Sequence, residues 1–312
     1  MNEKIKYETF ERALICELQE RLGEEYTLEK HEKEEVNQEP GKRIIIHKKQ
    51  EQVSMALHTE GLYEKFIGED ICMEEIVDDL LEVIQGDNNV SGRNLAWEFR
   101  KLIMNMKSVH SHIYPWLVNS QKNEKLLETV PYVKFTEDLA IIFVFRIMQR
   151  EEDSATVRID NEMQYILGMS TEALLRISRE NLLKDKYSCV PIEEILYGII
   201  RDQKEEMDVQ MEDIPTASNL YVFSNEIHQF AAVGIIHENL RKAIVETVHG
   251  DAYILPSSLH ELLILPTSEG TSADTLRNLV HSVNQNILEQ REYLSDNIYL
   301  LHSDTLEVDL LQ

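Results

Sequence analysis

The chain has 312 residues, with 57 Asp and Glu against 31 Lys and Arg, and a formal net charge of −26. That balance argues against nucleic acid and anionic membrane surfaces as partners, because phosphate binding needs a basic footprint. With 43% apolar and 28% charged residues, the composition is that of a folded globular protein and excludes a disordered chain.

In chain order, Thr9 to Leu22 reads as a helix, since Phe10, Leu14, Ile15, Leu18 and Leu22 recur at spacings of three and four. Three strands are expected next, at 26–36, at 43–48 with the run Ile44-Ile45-Ile46, and at 52–58. Their turns fall at 38–41 and near Gln50. A helix follows over 73–85, with Ile76, Leu80, Leu81 and Ile84 on one face, and another over 93–106. The first unit, residues 1–110, therefore reads α-β-β-β-α-α.

The second unit, residues 111–312, opens with a short strand at 113–118 and a short helix at 121–128. The apolar run Leu139–Phe145 predicts a strand over 138–149 with a hairpin partner at 156–159. Helices are expected at 171–184 and 192–201, and an acidic loop at 203–213. The tail reads β-α-β-β-α-β: strand 219–224, helix 230–248, strands 252–255 and 261–265, helix 272–288, strand 297–301. The fold class is α+β, with mixed sheets and helices packed on one face. Cys16, Cys72 and Cys189 form no disulfide or metal-knuckle pattern. Cys16 and Cys72 lie in helical patterns and are expected as small core residues.

No apolar run reaches the roughly 18 residues of a membrane-spanning helix. The charged N-terminal stretch has no apolar core segment of a secretory signal. A cytoplasmic protein is expected.

Chemistry-bearing motifs are sparse. Ser257, Ser258, His260 and Glu261 fall within the link that follows Pro256. A serine nucleophile needs a base and an orienting carboxylate in space, and sequence adjacency does not supply that geometry. Ser and Pro are also ordinary turn residues. His110 and His112 are spaced to share one face of a strand, without an identifiable third ligand, so no metal site is assigned. Close carboxylate pairs such as Glu74/Glu75 and Asp78/Asp79 sit on the polar face of a helix, where solvated charges belong. Trp116 with Tyr114, and Trp97, offer a ligand platform, but core packing is their default. No phosphate-cradle motif occurs, and no cofactor is expected.

The stretch from Leu220 to Pro266 resembles the C-terminal signature of an uncharacterised bacterial family of unknown function. Its features are a strand ending in Asn225, the helix 230–248, Leu255-Pro256-Ser257-Ser258, then His260 and Glu261 before an aliphatic strand. Asn123, Lys125, Leu126, Val130, Pro131 and Asp138 match the family's middle region in order. The resemblance spans about residues 113–303 and implies kinship and fold, without an activity. One departure stands out: where a Gly-Ala pair is expected after Asn225, the chain has Phe230-Ala231-Ala232.

The reading that follows is a non-enzymatic interaction or ligand-binding module. Its contact candidates are Asn225, Pro256, Ser257, Ser258, His260 and Glu261, and its partner is a protein or a small ligand. Two alternatives stay open. One is a serine-type hydrolase using Ser257 or Ser258 with His260. The other is a mobile-element accessory protein that binds a basic partner.

Overall fold

The computed structural model describes residues 6–49, 54–68, 71–85, 109–149, 154–195, 219–256, 258–270, 272–286 and 288–311. The expected helix at 93–106, Trp97, the acidic loop 203–213 and Ser257 lie outside them, as does the expected helix 192–201 beyond residue 195. The chain divides into two compact units, Met1–Met104 and Asn105–Gln312.

In the first unit, helix α1 (Tyr7–Leu22) places Phe10, Leu14, Leu18 and Leu22 on one buried stripe. Successive steps of four residues advance just over one helical turn, so the stripe stays on one face. It packs on Ile44 and Ile46 and on Ile76, Val77 and Ile84. The two isoleucines come from the central strand of the antiparallel sheet β1 (Tyr26–Glu35), β2 (Gln38–Lys48) and β3 (Ser54–His58). The other three residues come from α3 (Met73–Gln85). A further helix, α2 (Glu60–Gly68), was not expected. It is short, and Tyr63 and Phe66 hold it by ring contacts with Phe10 at 5.5 and 5.0 Å.

Two expectations are corrected here. The first hairpin turns at Val36-Asn37 and not at 38–41, which lies inside β2. Asn37 takes a left-handed backbone at φ 58°, which Asn tolerates better than most residues. Pro40 falls where the β1–β2 register shifts, so no ladder bond is lost to its missing N–H. Cys16 and Cys72 are exposed. Cys16 lies on the polar side of α1, and Cys72 precedes α3, where its N–H donates to the Glu75 carboxylate at 3.0 Å.

The second unit holds two antiparallel sheets. In the smaller, β6 (Leu139–Gln149) is central. It pairs with β4 (Ile113–Asn119) along one edge, and with β5 (Tyr132–Lys134) and β7 (Ser154–Arg158) along the other. Leu139 to Phe145 are all buried, so the apolar run marks a strand covered on both faces. Helix α4 (Glu124–Thr129) links β4 to β5. Helices α5 (Asn161–Leu167) and α6 (Thr171–Leu182) follow β7. Their N-termini are capped by Asp160 and Ser170, which accept backbone N–H groups three residues on.

The larger sheet has six strands. They are β8 (Tyr187–Pro191), β9 (Tyr221–Asn225), β10 (Ala252–Leu255), β11 (Leu262–Pro266), β12 (Tyr299–Leu301) and β13 (Val308–Leu310). Their spatial order is β13-β12-β10-β11-β9-β8. A 3₁₀ segment (Ala231–Ile236) and α7 (Glu238–Val248) connect β9 to β10, and α8 (Ala273–Asn286) connects β11 to β12. Every pairing among the described strands is antiparallel, which corrects the expectation of mixed sheets. Each helical crossover does join strands of like direction, but it skips one place. β11 lies between β9 and β10, and β10 lies between β11 and β12, so no like-directed pair becomes neighbours. Leu276 and Val280 of α8 pack on Leu255 and Leu265 of this sheet. Among the described residues no helix is long and apolar enough to cross a membrane.

Candidate functional site

The link between β10 and β11 is a hairpin, with Leu255 opposite Leu263. Its backbone is bonded on two sides. Towards the 3₁₀ turn Gln290–Glu292, the Ser295 N–H donates to the Pro256 carbonyl at 3.0 Å and the Leu259 N–H to the Glu292 carbonyl at 2.9 Å. Ser258 forms a β-bridge with Tyr293. Towards the segment after β9, the Ala231 N–H donates to the His260 carbonyl at 3.2 Å and the Ala232 N–H to the Leu259 carbonyl at 3.3 Å. Pro256 and residues 258–260 are therefore fixed parts of the fold. Pro256 and Ser258 are buried, while His260 and Glu261 are partly exposed.

Asn225 ends β9 and is 2% exposed. Its Oδ1 accepts the Gln229 N–H at 3.1 Å, and its Nδ2 donates to the Gln229 carbonyl at 2.9 Å. This clamp holds a tight turn in which His228 and Phe230 both take left-handed backbones, at φ 52° and 49°. An aromatic residue pays for that conformation, whereas glycine does not. Phe230 stands at the point where the family resemblance leads one to expect glycine. The Phe230 N–H donates to Nδ1 of His260 at 3.2 Å. Asn225 and His260, remote in sequence, thus fix the same turn.

The strained turn presents a ring. Phe230 stacks on Trp116 of β4 with centroids 4.0 Å apart and planes 13° apart. The His260 imidazole also contacts the Phe230 ring, 5.1 Å away and tilted by 50°. Because Nδ1 accepts a hydrogen bond, the neutral imidazole carries its proton on Nε2, which faces the Glu292 carboxylate at 3.8 Å. Trp116, Phe230, His260 and Glu292 are each partly exposed. They make a row of two stacked rings, an imidazole and a carboxylate. Trp116 is thus neither fully buried nor paired with Tyr114 in a platform, since the Tyr114 ring lies under Arg146 instead, 3.5 Å from its guanidinium carbon.

The Ser258 hydroxyl accepts the His260 backbone N–H at 3.0 Å, a local turn bond. Both imidazole nitrogens of His260 face partners other than that hydroxyl. Neither His110 nor His112 lies on a strand: His110 is helical and His112 lies in the turn before β4, its Nδ1 3.0 Å from the Ser111 hydroxyl. Among the described residues no group of three His, Cys, Asp or Glu side chains is placed to hold a metal ion. Glu74 and Asp78 both pair with Arg21 on the surface of the first unit.

The second unit also holds two polar clusters, one buried and one partly buried, of which only Asp138 was named in the sequence, as a match to the family's middle region. Asp138, 5% exposed, accepts from the Ser295 hydroxyl at 2.6 Å, the Asn297 amide at 2.9 Å, the Thr136 hydroxyl at 3.1 Å and the Tyr299 hydroxyl. Burial, then the Asp138 hydrogen bond, pushes the Tyr299 hydroxyl's pKa well above its ordinary value. This network ties β6 of the smaller sheet to β12 of the larger. In the second cluster, Arg146 of β6 grips both oxygens of Asp185 at 2.8 and 2.9 Å. Burial raises the Asp185 carboxyl's pKa against the pull of Arg146. Tyr187 stacks on Phe223 at 5.3 Å, and a Cβ on Gly234 would meet those two rings at 2.6 and 2.8 Å.

The chain belongs to a family of unknown function (DUF5688), which matches residues 7–303. The matched span covers most of both units, and it includes Asp138, Asn225, Phe230, the 256–261 link and Glu292. No curated protein and no solved structure matches the chain.

Proposed function

We propose that the protein is a non-enzymatic binding module, and that its contact face is the row Trp116, Phe230, His260 and Glu292, to which the 256–261 link contributes His260. The observation behind this reading is the left-handed Phe230. Strain is kept where a fold over-determines it, and such residues cluster at active sites, ligand clamps and switch regions. Here an Asn clamp, an imidazole acceptor and two ring contacts all hold one partly exposed aromatic residue. Asn225, Pro256 and Ser258 build the frame, and His260 and Glu261 border the face. Aromatic residues are the usual anchors of protein contacts.

The partner suited to this face is basic. The chain carries 57 acidic groups against 31 basic ones, and Glu292 adds a carboxylate at the face itself. Exposed thiols at Cys16 and Cys72 suit a reducing compartment, which supports work in the bacterial cytoplasm.

Native mass spectrometry of the full chain, incubated with proteins and with small-molecule extract of its own host, tests this. A stoichiometric mass gain at low salt is expected. It should fall with added salt and weaken roughly tenfold, about 1.4 kcal/mol, in Glu292→Gln. That variant keeps the backbone bond to Leu259 and so leaves the link intact. No gain, or a gain unchanged by salt and by Glu292→Gln, contradicts the reading.

A further inference from the structure

His260 is placed so that one proton decides what it holds. Its Nδ1 accepts the Phe230 backbone N–H at 3.2 Å, and its Nε2 stands 3.8 Å from a Glu292 carboxylate oxygen. Only the neutral ring with its proton on Nε2 serves both contacts, because a protonated imidazole is a donor at both nitrogens. An Nδ1–H would point at the Phe230 N–H, donor against donor. The side chain is 29% exposed, so a proton reaches it from water.

Phe230 is poised to leave once that acceptor is withdrawn. Its backbone is left-handed at φ 49°, which is unfavourable for a residue with a Cβ. The Asn225 amide bonds the backbone of Gln229, the residue before, and does not titrate. The Ala231 N–H, the residue after, donates to the His260 carbonyl, a backbone bond that protonation of the ring leaves alone. The release is therefore confined to Phe230, whose ring stacks on Trp116 at 4.0 Å.

The elements around His260 bring these charged groups. The 3₁₀ turn carries Arg291 and Glu292, with Glu289 just before it. Arg291 Nε lies 2.7 Å from Glu289 and 4.0 Å from Glu292. The turn after β9 carries Glu226, paired with Lys186 at 3.1 Å, and His228, whose Nδ1 lies 3.3 Å from the Ser224 hydroxyl. The link itself adds Glu261. β4 brings Trp116, which does not titrate, and Tyr114, whose ring lies under Arg146. The 3₁₀ segment Ala231–Ile236 has no charged residue. Glu292 is thus the carboxylate within reach of a protonated His260.

We propose that the His260–Phe230 bond is a pH-sensitive latch. The neutral imidazole holds Phe230 against Trp116. On acidification the ring takes a proton on Nδ1 and turns towards Glu292, and the Phe230 N–H goes to water. The left-handed turn relaxes and the Phe230–Trp116 stack opens. Histidine is the side chain suited to this, since it changes charge between about pH 5 and pH 8. As regulation of binding, the latch rests on the contact face proposed above. As a change of shape, it needs no partner.

The test is a titration of the full chain from about pH 8 to pH 5 without any partner. Trp97→Phe leaves Trp116 as the one site for 5-fluorotryptophan, and the histidines carry ¹⁵N. The ¹⁹F resonance of Trp116 is expected to move reversibly along a one-proton curve. One imidazole, missing from the spectrum of His260→Asn, is expected to show the Nε2–H form at high pH and to titrate with the same midpoint. In His260→Asn and in His260→Gln, whose amide oxygens accept at every pH, the Trp116 movement is expected to vanish. In His228→Asn it is expected to remain. A Trp116 resonance that does not move overturns the proposal. So does a movement that survives both His260 variants, or one that His228→Asn abolishes. A failure of the latch leaves the binding reading standing, and a chain that binds nothing yet shows the titration keeps the latch without the binding.

Discussion

Nδ1 of His260 accepts the backbone N–H of Phe230 at 3.2 Å, so a side chain of the β10–β11 link fixes a backbone turn thirty residues earlier. His260→Ala leaves that N–H without its acceptor and removes the ring beside Phe230. The expected cost is about 1–3 kcal/mol by chemical denaturation. His260→Asn places an amide oxygen near the position of Nδ1 and is expected to recover part of it. Equal losses in both variants would show that the hydrogen bond is not what holds the turn.

Asp138 is the acceptor of four side-chain donors between the two sheets. Asp138→Ala orphans buried hydroxyls and an amide, and the expected loss of stability exceeds the cost of a single orphaned group, about 1–3 kcal/mol. Tyr299→Phe removes one donor and is expected to cost about 1–3 kcal/mol. Because the two residues share a network, the double variant should lose less than the sum. Strict additivity in a double-mutant cycle would mean that the network does not act as a unit.

Gly234 marks a place where no side chain fits. A Cβ there would stand 2.6 Å from Tyr187 and 2.8 Å from Phe223, two stacked rings. Gly234→Ala is expected to destabilise by about 1–3 kcal/mol through overpacking, even though alanine favours helical backbone. A neutral or stabilising result in a melting experiment would contradict the packing described for β8 and β9.

His237 gives a signed dependence on pH. Burial, with Arg179 and Arg241 next, lowers its pKa below the ordinary 6.5, so the fold favours the neutral ring. Its contribution is fully present above about pH 6.5 and is lost as pH falls through the lower folded value. Protonation would also set an N–H against the Asn239 N–H that it caps. His237→Asn keeps a capping oxygen and cannot titrate. The variant is expected to lose less Tm than the natural chain between pH 7 and pH 5. Parallel losses would remove His237 as a cause.

The elements legible in the sequence were those whose signal is local. The stripe Phe10, Leu14, Leu18 and Leu22 gives α1, and the run Leu139–Phe145 gives a strand buried on both faces. The link 256–261 and Asn225 stood out by residue type, and the fold brings Asn225 and His260 to one turn. What escaped is set by distant partners. Tyr187–Pro191 is a strand because it pairs with Tyr221–Asn225, and five residues of mixed polarity carry no period that says so. The sheets were expected as mixed because strand order between crossovers is not written locally. Asp138 meets Ser295 and Tyr299 across 157 and 161 residues. By residue type Glu292 is one acid among many, and only its placement facing His260 sets it apart.

The measurement that bears most directly on the contact face is ¹⁹F NMR of the full chain labelled with 5-fluorotryptophan, in unlabelled extract of its own host. The chain has two tryptophans, and Trp97→Phe assigns the Trp116 signal. Stacked on Phe230 at 4.0 Å, Trp116 reports any molecule that settles on the row. The expected result is a shift or broadening of the Trp116 resonance that added salt reverses and Glu292→Gln weakens. A Trp116 resonance left unmoved while native mass spectrometry records a complex would place the contact elsewhere and contradict the account.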